Sequence, residues 1–171
     1  MKISSRLSGS LSTLTQVVMP LAVTSRIEFL ESLRTWYLLH LAGIHRASDR
    51  GDGLRLLLDS PLDEIPVTKE AVARARLQIQ RYTAGDLNWT TSAVDALITE
   101  ICVARDWNAC CDDDQFDLEY VFDSDCSCVL KICSACGSTF DVAGKLREKS
   151  RNFRIASRSE LKDAGLLEND T

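Results

Sequence analysis

The apolar residues change period once along this chain, and that change dictates the class of fold. Up to Arg105 they recur at three- and four-residue steps, and after Trp107 they alternate. A helix puts residues three and four apart on one stripe, whereas a strand sends every second residue to the same face. The chain therefore reads as an α+β protein. We expect an N-terminal three-helix bundle packed against a small C-terminal antiparallel β-hairpin or meander that carries a cysteine knuckle.

Three helices are expected within residues 24–105. Ser25-x-x-Glu28 is a capping box, after which Ile27, Leu30, Leu33, Tyr37, Leu41 and Ile44 fall on one stripe. A second helix starts near Thr68, buries Val72, Ala75, Ile79 and Tyr82, and stops at Gly85. A third runs from about Thr91 to Arg105 with Val94, Leu97, Ile98 and Ile101 inward. The run Leu54 to Leu58 allows one helical turn or two. Residues 1–23 are expected to form a flexible leader, because five serines and two threonines between Ser4 and Thr15 dilute any hydrophobic stretch. Regular periodicity begins just after Met19, which reads as an alternative start.

Residues 106–142 are the expected β region. Phe116, Leu118, Tyr120 and Phe122 alternate with Asp117, Glu119, Val121 and Asp123, and Ser127 to Cys133 alternates in the same way. A turn at Asp123 to Cys126 makes them a hairpin, with Phe122 opposite Ser127 and Phe116 opposite Cys133. Thr139 to Val142 extends it as a third strand. Residues 143–171 read as a basic tail with a short helix, opened by the capping box Ser157-x-x-Glu160 and ended by Gly165. At 171 residues and 45% apolar content, the whole suits one compact, folded domain.

Seven cysteines against two histidines is the unusual count. Cys133-Ser-Ala-Cys136-Gly137 has the form of a metal knuckle, in which a tight turn aims backbone N–H groups at two thiolates. The hairpin returns the segment before Phe116 to the same end, so the candidate ligands are Cys110, Cys111, Cys133 and Cys136. Adjacent cysteines rarely both ligate one ion, so one of Cys110 and Cys111 is expected, with Asp112, Asp114 or His45 as the fourth ligand. Zinc is the ion such a set suits. The competing reading is a set of plain reduced cysteines packed as small apolar residues, as expected for Cys102 on the third helix. A redox pair is disfavoured at Cys133 and Cys136, because CxxC here follows a strand instead of opening a helix. An odd cysteine count without framework spacing, and no apolar run of membrane-spanning length, point to the cytoplasm.

The net charge of −5 conceals a segregation. Asp106 to Asp125 holds eight acids and no base, whereas Lys145 to Lys162 holds seven bases against two acids. Asp112, Asp113, Asp114, Asp117, Glu119, Asp123 and Asp125 form a candidate surface for a basic protein partner. The opposing reading is that the two segments neutralise one another within the fold. No phosphate loop, zinc-protease helix or nucleophile elbow is present, and His40 and His45 point to different sides of their helix. His40 is expected as a half-buried packing residue.

These features favour a non-catalytic binding protein of the bacterial immunity or antitoxin type, which covers a basic nuclease-type toxin with carboxylates. The alternative is a zinc-stabilised nucleic-acid-binding regulator using Lys145, Arg147, Lys149, Arg151 and Arg154. A cysteine-dependent enzyme ranks third.

Overall fold

The computed structural model describes residues 2–18, 25–43, 51–106, 110, 118–148 and 152–167. The chain divides into two compact units, Met1–Cys102 and Val103–Thr171, each built around its own elements.

The first unit is helical: α1 (Lys2–Val18), α2 (Arg26–His40), α3 (Asp52–Asp59), α4 (Lys69–Ala84) and α5 (Thr91–Cys102), with a 3₁₀ turn at Leu62–Glu64. The three expected helices are α2, α4 and α5. The Leu54 to Leu58 run lies within α3, which is two turns long. At the start of α2, Ser25 Oγ accepts from the Glu28 N–H at 3.3 Å, and the Glu28 carboxylate accepts from the Ser25 N–H at 3.0 Å. Thr68 caps α4 in the same sense, and Gly85 ends it in the left-handed conformation at φ 84°. Ile27 does not join the buried stripe of α2 and is 41% exposed. Phe29 and Trp36, with Leu30, Leu33 and Tyr37, are the residues buried there. The fifth helix stops at Cys102, three residues short of expectation, because Arg105 and Asp106 are drawn into a strand.

Residues 2–18, expected as a flexible leader, instead form helix α1. Ser10, Leu14 and Val18 recur every four residues and are fully buried. The polar groups that argued against a helix are absorbed locally: Thr13 Oγ1 donates to the Ser10 carbonyl at 3.0 Å and Thr15 Oγ1 to that of Leu11 at 2.9 Å. Three donors from elsewhere in the unit bind α1. Trp36 Nε1 reaches the Ser10 carbonyl at 3.1 Å, Trp89 Nε1 reaches Ser10 Oγ at 3.1 Å, and Arg76 Nε reaches the Val18 carbonyl at 3.1 Å. Each satisfies a buried polar atom, so the serine costs the core little.

Helices α3 and α5 meet through Gly53. A Cβ there would lie 2.3 Å from Thr99 Cα and 2.5 Å from its backbone nitrogen, so only glycine permits this approach.

The second unit is an antiparallel sheet: β1 (Arg105–Asp106), β2 (Leu118–Asp123), β3 (Cys128–Cys133), β4 (Thr139–Asp141), β5 (Leu146–Arg147) and β6 (Phe153–Ile155), followed by α6 (Arg158–Asp163). The strands run in order β1 to β5, and β6 returns to pair with β2. The hairpin register differs from expectation. Asp123 pairs with Cys128 and Phe122 with Val129, so the turn is 124–127 and the pairing has slipped by two residues. A slip of two keeps every side chain on its face. Cys133 then sits opposite Leu118, and Phe116 lies outside the described residues. Tyr120, Phe122, Val129, Ala104 and Ala156 form one packed cluster under Leu161 of α6. The basic tail is thus part of the sheet, since it contributes β5, β6 and the helix that covers one face. Its capping box is formed, with Ser157 and Glu160 bonded reciprocally.

Candidate metal centre

Cys133 ends β3, and the chain turns sharply through Ser134 to Cys136 before β4 begins at Thr139. The turn is closed by the Gly137 N–H to the Cys133 carbonyl at 2.8 Å and the Cys133 N–H to the Ser138 carbonyl at 2.9 Å. Gly137 has φ 71°, a left-handed conformation that a Cβ would oppose. Cys110 completes the group. Its sulfur lies 3.3 Å from that of Cys136, and the three sulfurs of Cys110, Cys133 and Cys136 all fall within 4.8 Å of one another. Thiolates around a tetrahedral zinc ion at about 2.3 Å stand about 3.8 Å apart, so the trio brackets the spacing that metal coordination requires.

The site is graded in exposure. Cys133 is 1% exposed, Cys110 is intermediate and Cys136 is exposed. The Cys136 thiol is held at about 6 by hydrogen bonding from the Ser138 side chain and backbone, and by the Cys110 and Cys133 sulfurs. The Ser138 hydroxyl lies 3.2 Å from its sulfur. A thiol that ionises so readily is a good metal ligand, because binding then displaces little bound proton. Cys102 shows the opposite behaviour. Burial pushes it to about 12, as expected for a core residue, and the Arg34 charge opposes that only weakly.

Of the expected ligands, the structure brings together Cys110, Cys133 and Cys136. Cys111, Asp112, Asp114 and His45 lie outside the described residues. The other two cysteines are not reduced. Cys126 and Cys128, at the far end of the hairpin, are joined by a disulfide. This corrects the reading of a uniformly reduced set. A disulfide spanning a single residue has no framework signature, and spacing alone gave no signal for it.

The acids expected to face a partner divide into two groups. Asp112, Asp113, Asp114 and Asp117 lie outside the described residues. The other three make contacts within the chain. Glu119 accepts from Arg105 at 3.0 Å, and Asp125 accepts from the Asn152 side chain at 3.2 Å. Asp123 is 6% exposed and accepts the Asp125 N–H at 2.8 Å. Asp106 pairs with Lys131 at 2.6 Å. Arg105 and Lys131 hold Glu119 and Asp106, which spacing gave no sign of, because the first is expected in a helix and the second lies in an alternating strand far along the chain from its partner.

On the basic side, Arg154 lies over the Phe122 ring at 4.9 Å and grips Glu160 with two nitrogens, one at 2.9 Å. Burial opposes ionisation of Glu160, but the Arg154 bonds and the Ser157 N–H outweigh it and hold the carboxyl below its ordinary range. Arg158 is 7% exposed. Lys145 and Arg147 are exposed, while Lys149 and Arg151 lie outside the described residues. His40 is half-buried, with Nε2 3.4 Å from Thr13 Oγ1 and its ring beside Trp36. No described helix is long and apolar enough to cross a membrane.

No family model matches the chain, and neither the curated proteins nor the solved structures include a match.

Proposed function

We propose that this is a non-catalytic binding protein whose C-terminal unit is fastened by a zinc ion on Cys110, Cys133 and Cys136. On this reading the metal holds the start of the acidic run Asp112 to Asp117, which is offered to a basic protein partner. The observation that carries it is Cys110. It belongs to the three-sulfur cluster, and the acidic run Asp112 to Asp117 begins two residues after it in the sequence. A metal bound there anchors the start of that run to the sheet. An all-cysteine set suits holding better than turnover, since thiolates are the usual ligands of structural zinc.

The acids left for a partner are Asp112, Asp113, Asp114 and Asp117, because the described acids of the expected surface have partners within the chain. The favoured partner is a basic nuclease-type toxin, with this chain as its immunity or antitoxin protein. Clustered carboxylates raise the association rate with such a partner and make binding sensitive to salt.

The test is calorimetric titration of the full chain with the product of the adjacent gene across a salt series. Reversing Asp112, Asp113 and Asp114 to lysine should weaken binding at least about tenfold and flatten the salt dependence. Removing zinc should weaken it as well. Unchanged affinity in the triple variant contradicts the reading. A gel shift with mixed DNA and RNA distinguishes the alternative: binding that falls steeply with salt assigns the function to Lys145, Arg147 and their neighbours instead.

A further inference from the structure

The Cys126–Cys128 disulfide stands at the opposite end of the hairpin from the metal cysteines, and nothing in the proposed function uses it. We propose that it is a thiol–disulfide exchange site that accepts two electrons from a peptide dithiol.

The bond is poorly placed to act as a staple. It closes a ring around Ser127 alone, and cross-linking so short a loop removes less unfolded-chain entropy than any longer one. The hairpin it sits on is already registered by six residue pairs, from Leu118 with Cys133 to Asp123 with Cys128. Cys126 is exposed in the turn and Cys128 is half-buried at the start of β3, so opening the bond leaves the packed cluster untouched. Exposed disulfides of this kind are the labile ones.

The surroundings favour exchange. Ser127 is the only described non-glycine residue with positive φ, at 50°, and it links the two sulfur-bearing residues. Backbone held in that region is a recurrent property of functional sites. Cys128 and Ser127 also line a cleft of about 370 Å³ with Phe122, Val129, Val142 and Ala164, and Glu160 and Asp163 add two acidic side chains to its lining. The apolar walls fit a peptide's side chains beside its cysteine better than they fit glutathione, which carries charges at both ends.

The reaction balances. A peptide thiolate entering from the cleft attacks Cys128 Sγ. The Cys126–Cys128 bond breaks, and its electron pair leaves on Cys126 Sγ, which takes a proton from water. In the reduced form that thiol has the Asp123 carbonyl as an acceptor, 4.0 Å away. The peptide's second thiolate then attacks the mixed disulfide and displaces Cys128 as a thiolate, which is also protonated. The peptide leaves oxidised by two electrons. Glutathione disulfide regenerates the protein and is reduced to two glutathione molecules.

The test is the oxidation of a reduced two-cysteine peptide in excess glutathione disulfide, with and without the oxidised full chain. The full chain should accelerate it on the order of tenfold. Cys126→Ser and Cys128→Ser should each abolish the acceleration, and a one-cysteine peptide, which lacks the second thiolate, should be trapped linked to Cys128 of the oxidised chain after acid quenching, read by mass spectrometry. Cys102→Ala, in the helical core and away from both cysteine groups, should retain it. No acceleration by the folded oxidised chain overturns the proposal, and so does acceleration that survives both serine variants. Mixed disulfide found on Cys136 alone also overturns it and transfers the reactivity to the metal cysteines.

Discussion

Two glycines on helices show how much a single missing Cβ decides in this molecule. At Gly53 a methyl group would collide with the backbone of Thr99, which is rigid and has nowhere to move. At Gly9, on the exposed side of α1, a methyl group would meet nothing within 4 Å. Gly53→Ala is therefore expected to destabilise the protein by about 2 kcal/mol, as forced overpacking outweighs the gain in helix propensity. Gly9→Ala should instead stabilise it by up to about 1 kcal/mol. Thermal denaturation of both variants checks the contrast, and equal melting temperatures would contradict the close approach of α3 and α5. Neither difference is legible in the sequence, because Gly9 lies between two serines and Gly53 follows Asp52, and neither setting shows which glycine faces another helix.

At the scale of elements, legibility followed periodicity and cap chemistry. Helices α2, α4 and α5 were readable because their buried residues repeat at three- and four-residue steps, with a capping box at the start of α2 and a glycine at the end of α4. The short helix α6 was readable from Ser157 and Glu160 alone. Helix α1 was not, because its buried stripe includes Ser10, a polar residue bonded by Trp36 and Trp89, which lie far along the chain. Deleting residues 1–18 removes Leu14 and Val18 from the core, and fully burying two such side chains is worth about 3–6 kcal/mol. A chain starting at Met19 is expected to lose that much stability in chemical denaturation. A loss under 1 kcal/mol would mean that α1 is not part of the core. Strands β5 and β6, of two and three residues, are too short to show a period. The hairpin slipped by two residues because composition marks a turn without fixing how many residues it takes. Cys133 still meets Cys110, since the slip preserves which end of the hairpin the earlier segment reaches.

For the whole molecule, the segregation of charge changes meaning once the sheet is in view. Arg105 and Lys131, which lie outside the basic segment, hold Glu119 and Asp106 of the acidic one, and Arg154 holds Glu160 within the basic segment. The cysteines divide by role: Cys102 in the helical core, Cys126 with Cys128 as a disulfide, and Cys110, Cys133 and Cys136 as one cluster. The approach of the Cys110 and Cys111 segment to Cys133 and Cys136 was legible, because CxxC-Gly marks a knuckle and a hairpin must bring its ends together, whereas the choice between Cys110 and Cys111 was not. The account rests on that trio holding a metal. Its most direct test is the zinc content of the full chain purified without chelator, measured by elemental analysis beside Cys133→Ser and Cys136→Ser. The account predicts about one zinc per chain, falling below about a tenth in each variant, as expected when one of so few thiolate ligands is removed. A wild-type chain that is folded and carries less than about a tenth of an equivalent would contradict it.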